Sequence, residues 1–254
     1  MSRLLASWSG GKDSSAQIIV AHELGIHIDE IVFCEVMYDL KRGISAENPS
    51  HIRFIKEICI PKFAEWGYPT RILRADTDFL TLFHKRQENP TKHPEHKGLR
   101  RGFMHGVQGW CYCKRDLKVR VIERFYKTID PDTVTLVGIC ADEPRRLESL
   151  RHNPQNRSLL AEQGITQKLS KQICEEYGLY SPAYEFSKRG GCWFCPFAKP
   201  MEQAQVPQEI WDEFCSLEKL PDLASPNWQP FRGGETLAER SRLVAMLREQ
   251  YNNR

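Results

Sequence analysis

A strand-length apolar run, a glycine pair and a helical run follow one another at the start of the chain, and this order constrains the fold more than any other feature. Leu4 to Ser7 is a short apolar strand ending in small residues. Ser9-Gly10-Gly11-Lys12-Asp13-Ser14 follows, and Ser14 to Leu24 has helical spacing, with Ala16, Ile19, Val20 and Leu24 on one side and Gly25 as the stop. The alternation continues: Glu30 to Val36 reads as a buried strand, and Pro49 to Trp66 as an amphipathic helix with a kink at Pro61. Thr70 to Arg74 is a strand, Lys114 to Lys127 a helix, and Thr133 to Ile139 a β-branched strand. Strands separated by helices imply right-handed crossovers, so this half predicts an α/β fold with a parallel sheet and flanking helices. Residues 85–109 show no clean period and read as a loop or lid. The last third is helical and loop-rich, with helices expected over 165–177, 208–219 and 235–251. A boundary near Gln155 is expected, dividing residues 1–154 from a helical, cysteine-containing region over 155–254.

Composition narrows the class. The 254 residues suit one large domain or a domain with an appendage. Charged residues are 27% and aromatics 10%, which argues against disorder. The longest apolar stretches are strand-length, so no transmembrane helix is expected, and the N-terminus lacks the run of a signal peptide. The expectation is a cytoplasmic protein with no membrane partner. A net charge of +3 does not by itself imply nucleic-acid binding. Nine cysteines in a reducing compartment do not read as a disulfide framework; an odd count points to metal ligation, a reactive thiol or buried apolar thiols.

The glycine turn carries chemistry of its own. Two glycines let a phosphate approach backbone N–H groups, the following helix adds its dipole end, and Ser9, Ser14 and Lys12 add donors. It is not the Walker pattern. By composition alone a strand–helix turn with Asp13 or Ser14 as cap remains an equal reading. Together the six residues resemble the SGGxDS signature of the PP-loop ATP pyrophosphatases, which include sulfonucleotide reductases, tRNA-thiolating enzymes and amide-forming synthetases. The resemblance implies ATP or an adenylyl sulfonucleotide bound at the carboxyl end of a parallel sheet by Ser9, Gly10, Gly11, Lys12, Asp13 and Ser14. It implies cleavage between the α- and β-phosphates with Lys12 and Asp13 in catalysis. It places Glu35 and Asp39 where the family carries nucleotide- or Mg2+-facing carboxylates, although Glu35-Val36-Met37-Tyr38 departs from the reductases' Asp-Thr-Gly.

Two cysteine pairs stand out. Cys111-Tyr112-Cys113 precedes a helix, and Cys192-Trp193-Phe194-Cys195-Pro196 follows Gly190-Gly191. Four thiolates suffice for tetrathiolate Zn2+ or an iron–sulfur cluster. A redox dithiol or buried thiols are the alternatives. The arrangement resembles the adenylyl-sulfate reductases of the same superfamily, which carry adjacent cysteines before a helix and a Cys-x-x-Cys well downstream, binding a 4Fe–4S cluster. The departure is that Cys111 and Cys113 are not adjacent; three ligands and an open iron would instead resemble the cluster-dependent tRNA-thiolating enzymes. Cys34, Cys59, Cys140, Cys174 and Cys215 read as structural.

The reductases use a nucleophilic cysteine in a C-terminal Glu-Cys-Gly-Leu-His segment, and no cysteine follows Cys215 here. The expectation therefore moves to adenylylation and cluster-assisted sulfur transfer, including nucleic-acid thiolation or phosphorothioation. The alternatives are a reductase using an external thiol, or a non-catalytic nucleotide- or nucleic-acid-binding partner with structural zinc. Gly138 and the Arg145-Arg146 pair follow a strand where the reductase branch carries a phosphate-binding segment, and Arg100 and Arg101 lie in the lid; all four arginines are candidate phosphate ligands. A salt-bridged turn with Asp142, Glu143 and Glu148 is the competing reading for Arg145 and Arg146. Expected partners are an adenine nucleotide, a nucleic-acid or small-molecule acceptor, and a sulfur-donor protein or thiol, with the chain acting as a homodimer or within a complex.

Overall fold

The computed structural model describes residues 3–104, 111–187, 190–228 and 234–252. Among them seven strands run in chain order: β1 (Leu4–Trp8), β2 (Glu30–Cys34), β3 (Met37–Asp39), β4 (Ile44–Ser45), β5 (Thr70–Leu73), β6 (Val134–Val137) and β7 (Asn156–Arg157). Five of them form one sheet in the order β5-β2-β1-β6-β7, every neighbouring pair parallel. The chain grows from β1 to β2 and β5 on one side, then crosses to β6 and β7 on the other. The strand order therefore reverses between β1 and β6, the place where an open α/β sheet leaves a crevice at its carboxyl ends.

The chain divides into two compact units, each built from three stretches. The first comprises residues 1–34, 50–73 and 122–190, the second 35–49, 74–121 and 191–254. The expected boundary near Gln155 is therefore not where the chain divides. Residues just beyond it extend the sheet as β7, and the helix Gln167–Glu176 packs on the first helix, α1 (Lys12–Glu23), so this stretch completes the first unit.

α1 is not the one-sided helix that its spacing suggests. Ser14 through Ala21 are all buried, which fits a helix covered on every side. Trp8 Nε1 donates to Ser15 Oγ at 2.9 Å, tying β1 to α1, and Trp8 packs edge-on to Phe63 with centroids 5.1 Å apart. The expected helix over 49–66 forms as Pro49–Phe54 and Ile60–Glu65 joined by a π-helical turn at Ile55–Cys59. The wider turn lies directly ahead of Pro61, whose ring cannot continue an ordinary ladder.

The second unit is held by aromatic rings. Tyr38, Phe79, Phe103, Trp193, Phe194, Trp211, Phe214 and Trp228 are each no more than 1% exposed. Phe79 stacks on Phe194 with centroids 4.2 Å apart. The described part of the expected lid is ordered backbone. Gly98 N donates to the Gln87 carbonyl at 2.8 Å and Arg101 N to that of Lys85 at 2.9 Å. Arg100 N donates to Asp222 O at 2.8 Å, and Ala224 N returns a bond to Arg100 O at 2.7 Å. Gly102 allows this latch: at φ +75° a Cβ there would lie 2.5 Å from the Ser225 carbonyl oxygen. No helix among the described residues is long and apolar enough to cross a membrane.

Candidate nucleotide loop and cysteine centre

The turn from β1 into α1 lies at the β1/β6 reversal. Gly10 has φ +76°, a conformation that L side chains rarely adopt, and a Cβ there would lie 2.5 Å from Ile55 Cδ1 and 2.8 Å from His51 Nε2. Gly11, extended at φ −78°, ψ 158°, is the residue from which α1 starts. The two serines close the loop on itself. Ser9 N donates to Ser14 Oγ at 3.2 Å, Ser14 Oγ donates to the Gly11 carbonyl at 3.0 Å, and Gly11 N donates to Ser9 Oγ at 3.3 Å. Lys12 Nζ lies 2.5 Å from Asp13 Oδ1. Burial works against the Lys12 ammonium, but the hydrogen bond and charge of Asp13 outweigh it, so its pKa is raised.

The segment after β6 closes on this turn. Gly138 meets α1 so tightly that a Cβ would lie 2.6 Å from both Cα and N of Ser14. Cys140 Sγ donates to Asp13 Oδ1 at 3.2 Å, and Cys140 N donates to Glu143 Oε2 at 3.0 Å. Donor atoms of Asp13, Cys140 and Glu143 all lie within 4.8 Å of one another. Burial pushes the Cys140 thiol up to about 12, so it stays protonated as a donor. Arg146 is exposed and bonded to Glu143 at 2.8 and 3.0 Å, as the salt-bridged reading has it, while Arg145 is exposed on the same helix, Pro144–Arg151.

Three residues at this turn escape sequence reasoning. Tyr184 OH accepts from Lys12 N at 3.0 Å, occupying one of the free donors of the α1 terminus. Cys174 Sγ donates to the Lys12 carbonyl at 3.1 Å. His51, buried beside Gly10, has Nδ1 2.7 Å from Ser181 Oγ. Each lies far along the chain from Ser9–Ser14, and no local pattern marks it. Cys140 and Cys174 are fully buried, as structural thiols should be, but both also hold the loop.

All four candidate ligand cysteines belong to the second unit. Cys113 is buried; Cys111, Cys192 and Cys195 are partly exposed. Burial drives the Cys113 thiol well up, reinforced by its hydrogen bond with Cys111 and by the nearby charges of Cys192, Cys111 and Cys195. Conversely, the hydrogen bond from Cys113 holds Cys111 down at about 6 against its burial, helped by the Lys114 amide. Cys192 is raised by burial and by Glu47, with Lys118 opposing. An antiparallel bridge joins Glu47 to Cys192, and Trp193 N donates to Ala46 O at 2.9 Å. The Cys-x-x-Cys turn is thus tied to the segment just after β4. Among the described residues no three of these sulfurs lie mutually within 4.8 Å. A tetrahedral zinc with bonds of about 2.3 Å sets sulfurs about 3.8 Å apart.

The remaining expectations separate. Glu35 is fully buried in the second unit and receives Arg74 at 2.7 and 3.0 Å, so its carboxylate is committed to an ion pair. Asp39 is bound by Arg42 at 2.5 Å, and although burial opposes, hydrogen bonds from Arg42 hold its pKa down. Arg100 is taken by Asp222 at 2.6 Å, whereas Arg101 faces a cleft described below. Residues 105–109 of the expected lid lie outside the described residues. No protein-family model matches this chain, and no curated protein is significantly similar to it.

Proposed function

We propose that this chain is a PP-loop-type enzyme of the sulfonucleotide-reductase-like branch. It binds ATP or a related adenine nucleotide on Ser9–Ser14, adenylylates an acceptor with release of pyrophosphate, and completes sulfur transfer at a 4Fe–4S centre on Cys111, Cys113, Cys192 and Cys195. The observation that carries this reading is the Ser9–Ser14 turn itself, a double-glycine loop with Gly10 at φ +76° at the β1/β6 reversal of a parallel sheet.

In this reading the Gly11 and Lys12 amides and the two serine hydroxyls turn from their internal partners to phosphate oxygens. The acceptor oxygen attacks the α-phosphorus, the bond to the β-phosphate oxygen breaks, and pyrophosphate leaves with its charge met by Lys12. Asp13 and Glu143 offer the oxygen ligands that suit Mg2+. A sulfur nucleophile from a donor protein or thiol then displaces AMP from the activated carbon. Bound through three of these cysteines, the cluster would supply an open iron on which sulfide could be held for delivery.

The test combines metal content and turnover of anaerobically purified protein. Brown protein with iron and sulfide, releasing pyrophosphate from ATP with an acceptor, is expected. Colourless protein carrying one zinc and no turnover sinks the proposal in favour of a binding partner. Sulfite from adenylyl sulfate with thioredoxin, and no pyrophosphate, sinks it in favour of a reductase.

A further inference from the structure

We propose that the cleft in the second unit lined by Arg101, Arg115, His93, His96, Phe103 and Tyr112 is the acceptor site, and that it takes a nucleotide unit with its phosphate on Arg101 and Arg115. The inference rests on the sulfur-transfer reading and names its acceptor class. The cleft has a volume of about 680 Å3, in the range of small-ligand sites and roomy enough for a nucleotide.

Its charge is unbalanced in favour of an anion. One carboxylate, Asp116, meets three guanidiniums: Arg115 at 2.7 Å, Arg120 at 2.8 Å and Arg101 at 3.5 Å. Arg101 Nη1 is buried and has no hydrogen-bond partner, the Asp116 oxygen being too distant for one. Nη1 itself is closed off, but the Arg101 side chain as a whole is 26% exposed and lines the cleft, and a guanidinium pairs with phosphate through parallel donors. The group is held ready: Arg101 lies over the Tyr112 ring at 4.8 Å, and Tyr112 OH donates to the Gly102 carbonyl at 2.8 Å. On the rim, the His93 and His96 rings stack at 4.9 Å and 22°, offering flat faces to a base. The one rim carboxylate, Glu95, is paired with His93 at 3.0 Å. Cys111 also lines this cleft, so a nucleotide seated there lies against one of the four cysteines.

The experiment measures fluorescence anisotropy of labelled single-stranded RNA and DNA on the full-length, anaerobically prepared protein, with mononucleotides as competitors. Arg115→Ala, at an exposed position, and Arg101→Gln, checked by melting, are compared with wild type. Each is expected to weaken binding about 10-fold or more and to lower the salt slope by about one, with ATP affinity unchanged. Competition by mononucleotides as strong as by oligonucleotides assigns the site to free nucleotides; stronger oligonucleotide binding assigns it to a nucleic-acid chain. Either supports the site. Wild-type and Arg115→Ala curves that coincide, or no binding of any nucleotide, overturn it. Arg115-dependent binding in a protein that neither binds nor cleaves ATP keeps this site and removes the adenylylation reading.

Discussion

Changing Gly138 to alanine tests whether the end of β6 positions the nucleotide loop. The new Cβ would lie 2.6 Å from Ser14 Cα and N and 2.7 Å from Asp13 C, where ordinary contact begins at 3.4 Å. Backbone atoms cannot rotate away, so α1 or the turn after β6 must move by about 0.8 Å. α1 has little room to do so, since Ser14 through Ala21 are all buried. Overpacking of this kind costs about 1–3 kcal/mol, and the immobility of α1 puts Gly138→Ala at the upper end. For a chain of this size that lowers Tm by roughly 10 °C. The displaced first turn is also expected to raise the ATP dissociation constant at least about tenfold, because the affected amides are those that would meet phosphate. Thermal melting and isothermal titration read the two effects. Gly25→Ala is the control: φ is +65°, but no atom lies within 4 Å of its Cβ, so it pays only a left-handed backbone cost of about 1 kcal/mol. A Gly138→Ala protein as stable as Gly25→Ala, with unchanged ATP affinity, would refute the reasoning.

Two further outcomes can be checked. Tyr184→Phe removes the acceptor on Lys12 N and is expected to cost about 1 kcal/mol in the free protein; saturating ATP, whose phosphate would take that amide in the proposed function, should shrink the deficit, and an equal deficit with and without ATP would count against phosphate binding there. Asp116→Asn should lower stability by about 1 kcal/mol at neutral pH. The hydrogen bond from Arg115, with the charges of Arg115, Arg120 and Arg101, holds the Asp116 pKa below its ordinary value despite burial. The carboxylate's contribution is therefore complete above the usual carboxylate range and is lost as pH falls through the lower folded value, so the Tm gap to wild type should close in acid. A gap as wide at pH 3 as at pH 7 would contradict this.

The parallel sheet was legible because its evidence is local: β2 and β6 are short apolar runs bounded by helices, and the glycine turn sits where the first crossover begins. β1, β2, β5 and β6 each run within a residue or two of their pattern. What was hidden depends on distant partners. The expected lid has no period of its own because its backbone bonds run between its own two arms and to residues 222–225. Glu35 reads as a strand-end carboxylate until Arg74 takes it, and Tyr184 reaches Lys12 across 172 positions. The boundary near Gln155 was misplaced for the same reason, since nothing in β7's two residues announces that they pair with β6.

The strand order also sets a clock on biosynthesis. β1 stands in the middle of the sheet, but its second neighbour, β6, begins only at Val134. At ribosomal rates of about 5–20 residues per second, that edge of β1 waits on the order of ten seconds for its partner. An unpaired edge beside apolar Leu5 and Ala6 is a template for another chain. How fast the ribosome traverses residues 35–133, and whether a chaperone shields β1 meanwhile, then governs how much of the protein reaches the soluble, folded state.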